Sequence, residues 1–63
     1  MDLAKIRSDS NMTQQELADR VGITRQMVSS LERGTKPSVE KAKEIARILG
    51  FEWTRFFEDE AKN

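Results

Sequence analysis

The sequence predicts a small all-α fold, and three features of the chain support this prediction. Strong helix-forming residues dominate the 63 residues, which contain a single proline. No segment shows the alternation of apolar and polar residues that is typical of a strand. Polar capping residues and glycines recur at intervals that fit short helices. These features predict one compact domain of five helices that spans residues 1–63.

The first two predicted helices are separated by a short polar turn. Helix one covers about residues 3–9, and Asn11 is predicted to take a left-handed conformation in the turn. Thr13 and Glu16 have the spacing of a capping box at the start of helix two. Gly22 is expected to end helix two, because glycine adopts a positive φ without steric cost.

The remaining helices are delimited in the same way. Thr24 is the predicted cap of helix three, which ends at Gly34. Ser38 follows the proline and caps helix four. The apolar stripe of helix four precedes Gly50 and comprises Ala42, Ile45, Ala46 and Leu49. A short fifth helix is predicted at about residues 53–58.

The charges cancel overall but are unevenly distributed. Eleven basic residues balance eleven acidic ones. Residues 25–36 carry three cations and one anion, whereas residues 57–63 carry three anions and one cation. The first segment is therefore expected to meet a polyanion and the second to avoid it. Residues 61–63 are expected to form a frayed tail.

The composition also narrows the class of protein. The chain has neither histidine nor cysteine, so the usual general base, nucleophile and transition-metal ligands are missing. We therefore expect no enzyme activity, no metal and no cofactor. The apolar runs are too short to span a membrane, and the first residues lack a signal-peptide core. A cytoplasmic protein without membrane association is expected.

Residues 14–33 carry the pattern of a helix-turn-helix. Ala18 supplies the small side chain that is needed where two helices cross closely, and Gly22 supplies the turn. Val28 and Leu31 direct one side of the following helix inward. This spacing predicts that helices two and three form the motif.

The opposite face of helix three is polar and predicts sequence-specific DNA binding. Arg25 and Gln26 begin this face, Ser30 lies one turn further on, and Ser29 lies beside them. Arginine and glutamine pair bidentately with guanine and adenine edges in the major groove. Met27 borders the face and either contacts a thymine methyl or packs at the rim of the core.

The chain resembles the phage-repressor-like helix-turn-helix family, which includes the lambda and 434 repressors and XRE-type transcriptional regulators. The resemblance covers nearly the whole chain and rests on Arg7, Val28 and residues 13–18, 21–24, 31–34, 36–38, 45–46 and 49–50. It implies a five-helix domain whose third helix enters the major groove and which binds a two-fold operator as a dimer. The chain differs from typical members in its neutral charge and acidic C-terminus.

The resemblance also implies roles for particular side chains. Arg7 and Glu32 fall on the inward faces of helices one and three and are implied to form a partly buried salt bridge. Glu16 and Asp19 lie where some family activators contact RNA polymerase, although an ordinary solvated helix face is the alternative. The four aromatic residues at positions 51–57 are more than the core needs, so they predict a dimer interface in a segment to which the resemblance also points. This interface comprises Ile48, Phe51, Trp53 and Phe57, whose alternative role is to cap the core of a monomer.

Five side chains are expected to contact DNA phosphates, namely Gln14, Thr24, Arg33, Thr35 and Lys36. Gln14 begins helix two, where free amides and the helix dipole favour an anion, but it would also serve as an ordinary first helical residue. Thr35 and Lys36 match phosphate contacts of the family, and the alternative for Lys36 is a solvated side chain.

The function predicted from these features is that of a DNA-binding transcriptional regulator, and specifically of a repressor that binds a palindromic operator as a homodimer. The alternative is a protein interaction module, such as an antitoxin-like protein or an adaptor, that uses the aromatic C-terminal helix as its contact surface. Zero net charge favours this alternative, whereas Arg25 and Gln26 favour DNA.

Overall fold

In the computed structural model, which describes residues 1–58, the chain packs four α-helices and one 3-10 helix around a single apolar core. The helices are α1 (Leu3–Asp9), α2 (Gln14–Val21), α3 (Arg25–Glu32), α4 (Val39–Leu49) and the 3-10 helix (Trp53–Phe57). The predicted all-α class is therefore confirmed for these residues. No helix in this part of the chain has the length and apolar character that a membrane crossing requires.

Side-chain hydroxyls begin three of the helices, as the sequence predicts. The Thr13 hydroxyl accepts from the Glu16 amide at 3.0 Å, and the Glu16 carboxylate accepts from the Thr13 amide at 2.8 Å. This reciprocal pair is the predicted capping box of α2. Thr24 and Ser38 cap α3 and α4 through single hydrogen bonds to Met27 and Lys41 amides.

The turn between α2 and α3 depends on a left-handed residue. Gly22 has φ 82°, and its amide donates to the Ala18 carbonyl at 2.8 Å. The Ile23 amide donates to the same carbonyl at 3.0 Å, so both amides of the turn end on one acceptor in the last turn of α2. Asn11 has φ 57° in the turn after α1, as predicted.

The core joins α2, α3 and α4. Leu17, Val28 and Ile45 have no exposed surface, and each comes from a different helix. Ala18 and Ala42 are equally buried, and their small side chains allow the helix backbones to approach one another. The buried stripes of the three helices leave the opposite face of each helix to solvent.

The predicted fifth helix is shorter and tighter than expected. Residues 53–57 form a 3-10 helix, and Glu52 at its start makes no side-chain capping hydrogen bond. A segment of this length gains little from helical hydrogen bonding alone, so tertiary packing determines its geometry. The Phe56 ring supplies that packing, since it is buried and its centroid lies 5.5 Å from the centroid of the Phe51 ring. The predicted tail at residues 61–63 lies outside the described residues.

Candidate nucleic-acid interface

The outer face of α3 presents a continuous set of polar side chains. The structure gathers the predicted base-contacting residues in one shallow hollow, lined by Arg25, Gln26, Ser29, Ser30 and Arg33. Val28 and Leu31, which are buried, hold the opposite side of the helix against the core. The polar face is therefore fixed in orientation by the packing behind it.

The side-chain hydrogen-bonding groups on this face have no partner within the described residues. Arg25, Gln26 and Arg33 are exposed, whereas Ser29 and Ser30 are half-buried. Within residues 1–58, none of the five forms a side-chain hydrogen bond or ion pair. Their donors and acceptors are thus available to an external partner of complementary polarity.

Glu32, at the end of α3, joins three helices through both carboxylate oxygens. Arg7 from α1 donates through Nε to Glu32 Oε2 at 2.6 Å. Gln14, at the start of α2, donates through Nε2 to Glu32 Oε1 at 2.8 Å. Arg7 also donates to the Met12 carbonyl at 2.7 Å, so the same side chain fixes the turn before α2.

This junction of Arg7, Gln14 and Glu32 is largely shielded from water. The side chains of Arg7 and Glu32 keep 16% and 10% of their surface exposed. No buried side-chain nitrogen or oxygen in the described residues lacks a hydrogen-bond partner. Each polar group of the junction therefore has compensation for the water that it loses on folding.

The predicted phosphate-contacting residues occupy different environments. The Thr24 hydroxyl accepts from the Met27 amide at 3.1 Å, which leaves its own proton free. Gln14 is half-buried and engaged with Glu32, and one amide hydrogen remains for another acceptor. Thr35 is exposed in the loop after α3, where its amide donates to the Ser30 carbonyl.

The Lys36 ammonium has a hydrogen-bond partner within the protein, unlike that of a freely solvated lysine. The ammonium donates to the Phe56 carbonyl at 2.7 Å. That carbonyl lies at the end of the 3-10 helix, where backbone acceptors lack helical partners and attract a donor. The ammonium has three donors in total, so this bond leaves two for an anion.

The aromatic segment, which comprises Phe51, Trp53, Phe56 and Phe57, is only partly exposed, since Phe56 is buried and the other three rings are half-buried. Trp53 and Phe57 meet edge to face with their centroids 6.1 Å apart, and the Lys43 ammonium lies 5.2 Å from the Trp53 ring centroid. The four residues of the implied dimer interface all pack against the core with part of their surface outside, namely Ile48, Phe51, Trp53 and Phe57. The segment thus closes the core and still offers an apolar surface.

The acidic residues of α2 are already partnered. The Glu16 carboxylate belongs to the capping box, and Asp19 accepts from Gln15 at 2.9 Å. Both line an open hollow that also includes Arg20. The face is polar and solvated, with its charges held by neighbours on the same helix.

Three contacts near the candidate interface could not be predicted from the sequence. Gln14 and Glu32 are 18 residues apart, and Lys36 and Phe56 are 20 residues apart. The contact between Lys43 and Trp53 likewise joins α4 to the 3-10 helix. Local patterns concern neighbours within one or two helical turns, so they do not specify such pairs.

Comparison with known proteins agrees with this architecture. A family model described as helix-turn-helix matches residues 3–56. An uncharacterised HTH-type transcriptional regulator, YqaF of Bacillus subtilis, is 47% identical over 58 residues, which cover 90% of this chain and 76% of the relative.

Two archaeal proteins are also similar, and both are named as uncharacterised HTH-type transcriptional regulators. That of Methanothermobacter thermautotrophicus is 51% identical over 73% of this chain and 68% of its own length. That of Archaeoglobus fulgidus is 45% identical over 75% of this chain and 68% of its own length. No solved structure matches the chain significantly.

The Glu32 junction predicts a large loss of stability when its acceptor is removed. Glu32→Ala should lower the free energy of unfolding by about 3 kcal/mol, because Arg7 and Gln14 would lose their partner in a poorly solvated place. Urea denaturation followed by circular dichroism measures this loss.

Lys5→Ala provides the matched control. It removes an exposed ion pair with Asp9, whose side chains are 70% and 67% exposed, and should cost less than about 0.5 kcal/mol. Equal and small losses for the two variants would show that the Glu32 junction contributes no more than a surface pair.

Proposed function

The chain belongs to the helix-turn-helix family, and on this basis we propose that it is a sequence-specific transcriptional regulator. In this proposal, α2 and α3 form the helix-turn-helix, and α3 enters the major groove of DNA. The observation that carries the proposal is the uncommitted polar face of α3, held outward by a buried apolar side.

The residue types on this face suit base recognition. Arg25 and Gln26 lie in the first turn of α3, directly after its Thr24 cap. Their side chains can each make paired hydrogen bonds to a base edge, whereas Ser29 and Ser30 supply shorter polar contacts. We propose these four residues as the base-contacting set.

Phosphate contacts would surround this set. Gln14 is held against Glu32 at the start of α2, where the positive end of the helix dipole favours a phosphate. Thr24 begins α3, while Arg33 and Thr35 follow from its end into the next loop. Lys36 would join them through the two protons that its bond to Phe56 leaves available.

The zero net charge favours a dimer. With zero net charge, one domain gains little general attraction to DNA, so a second copy on an adjacent half-site would supply the missing affinity. We propose that the aromatic segment pairs two copies through Ile48, Phe51, Trp53 and Phe57. Half-sites one turn of DNA apart would require the two α3 helices of such a pair to lie about 34 Å from each other.

Repression by occupancy of an operator requires nothing beyond this assembly. Activation would need a free contact surface for RNA polymerase, for which Glu16 and Asp19 are the candidates. The Glu16 carboxylate is engaged in the capping box, and Asp19 is bonded to Gln15. Each of these carboxylates keeps further acceptor sites, so the proposal of a repressor rests on the simpler assembly that occupancy of an operator requires.

Selection of bound sites from a random DNA library tests the proposal directly. A DNA-binding dimer should enrich a palindrome whose half-sites are one helical turn apart. Failure to enrich any sequence, together with no measurable binding at low salt, would favour the alternative of a protein interaction module.

Arg25→Ala and Gln26→Ala should each weaken operator binding by about 1 to 3 kcal/mol and leave binding to random DNA nearly unchanged, because base contacts confer specificity. Fluorescence anisotropy on both DNAs measures the difference. Arg20→Ala is the control for charge, since Arg20 lies on α2 in a separate hollow. Equal losses on operator and random DNA would contradict base contacts by Arg25 and Gln26.

Pairing through the aromatic segment can be tested separately. Trp53→Ala combined with Phe57→Ser should yield a folded monomer in sedimentation equilibrium and a weaker operator complex, because it removes apolar area outside the central core. Circular dichroism establishes that the variant is folded. A wild-type protein that remains monomeric at tens of micromolar and binds one half-site tightly would contradict this pairing.

A further inference from the structure

A second surface borders the polar face of α3, and it is apolar. Met27 lies on α3 directly after Gln26 and keeps 44% of its surface exposed. Among large apolar side chains in residues 1–58, only Met1, Met27 and Val39 are exposed to this degree. Of these three, Met27 is the one that lies on α3, beside the polar face.

Met27 lines a groove between α3 and the start of α4. The groove has a volume of about 260 Å³, and its wall includes Ile23, Leu31 and Pro37. These side chains give Met27 an apolar support. A flexible thioether on such a support can adapt to a small apolar group that approaches from outside.

Two lysines border the groove without making it strongly polar. Lys36 donates its ammonium to the Phe56 carbonyl, and Lys41 donates its ammonium to the Val21 carbonyl at 3.4 Å. Each charged group is therefore drawn to a backbone acceptor, while the methylene stems remain along the groove. The groove presents hydrocarbon beside a face that otherwise presents only polar groups.

We propose that Met27 and this groove recognise the C5-methyl group of a thymine in the operator, a role that rests on the proposed function. The thymine methyl is the one apolar group that the four bases display in the major groove. A base pair next to those contacted by Gln26 and Ser30 would bring its edge to Met27, because all three residues share adjoining faces of α3. The apolar groove thus specifies a base by shape and hydrophobicity, beside side chains that specify bases by hydrogen bonds.

Replacement of single thymines by deoxyuridine in the selected operator isolates this contact, since it removes one methyl and keeps the base pairing. For the wild-type protein, one or two such replacements in each half-site should weaken binding about threefold to fivefold, the equivalent of one buried methyl group. Met27→Ala should bind the thymine and deoxyuridine operators equally. Met27→Leu should keep the discrimination, because leucine retains an apolar contact of similar size.

Val39→Ala is the matched control, since Val39 is 48% exposed but lies outside the groove lining. It should discriminate as the wild type does.

Persistent discrimination in Met27→Ala, or its absence in the wild type, would overturn the inference while operator binding itself stands. A Met27→Ala protein that loses self-association without any change in discrimination would show that a second copy covers the groove and would also overturn it. Absence of all DNA binding would instead reject the proposed function, and this inference with it.

Discussion

The carboxylate of Glu32 is the interaction on which the arrangement of the first three helices depends. One oxygen receives Arg7 from α1, and the other receives Gln14 from the start of α2. Since Glu32 itself ends α3, a single side chain joins three short helices. Such short helices are only marginally stable in isolation, so their orientation comes from contacts of this kind and from the shared core.

The same arrangement separates the structural residues of α3 from its potential recognition residues. Val28 and Leu31 enter the core, Glu32 enters the junction, and Thr24 closes the first turn. The side chains that remain are the polar set in the hollow and Met27 at its edge. The solvent-facing side chains can therefore vary on this scaffold without the loss of packing that a core substitution causes.

Much of this architecture could be predicted from the sequence because its signals are local. The spacing of Thr13 and Glu16 specifies a cap, and Gly22 specifies a left-handed turn, whatever the rest of the chain does. The geometry of residues 53–57 could not be predicted, because aromatic packing outweighs helix propensity there. The hydrogen bonds from Gln14 to Glu32 and from Lys36 to Phe56 could not be predicted either, since only the folded chain brings these residues together.

The bond from Lys36 to Phe56 has a mechanical consequence. It connects the loop after α3 to the 3-10 helix, so the position of one segment restricts that of the other. A displacement of the 3-10 helix would have to carry the loop with it or break this bond, and the same holds for a displacement of the loop. In a paired molecule, the angle at which two copies meet would thereby adjust the distance between their loops, and curvature imposed on the loops would strain the pairing in return.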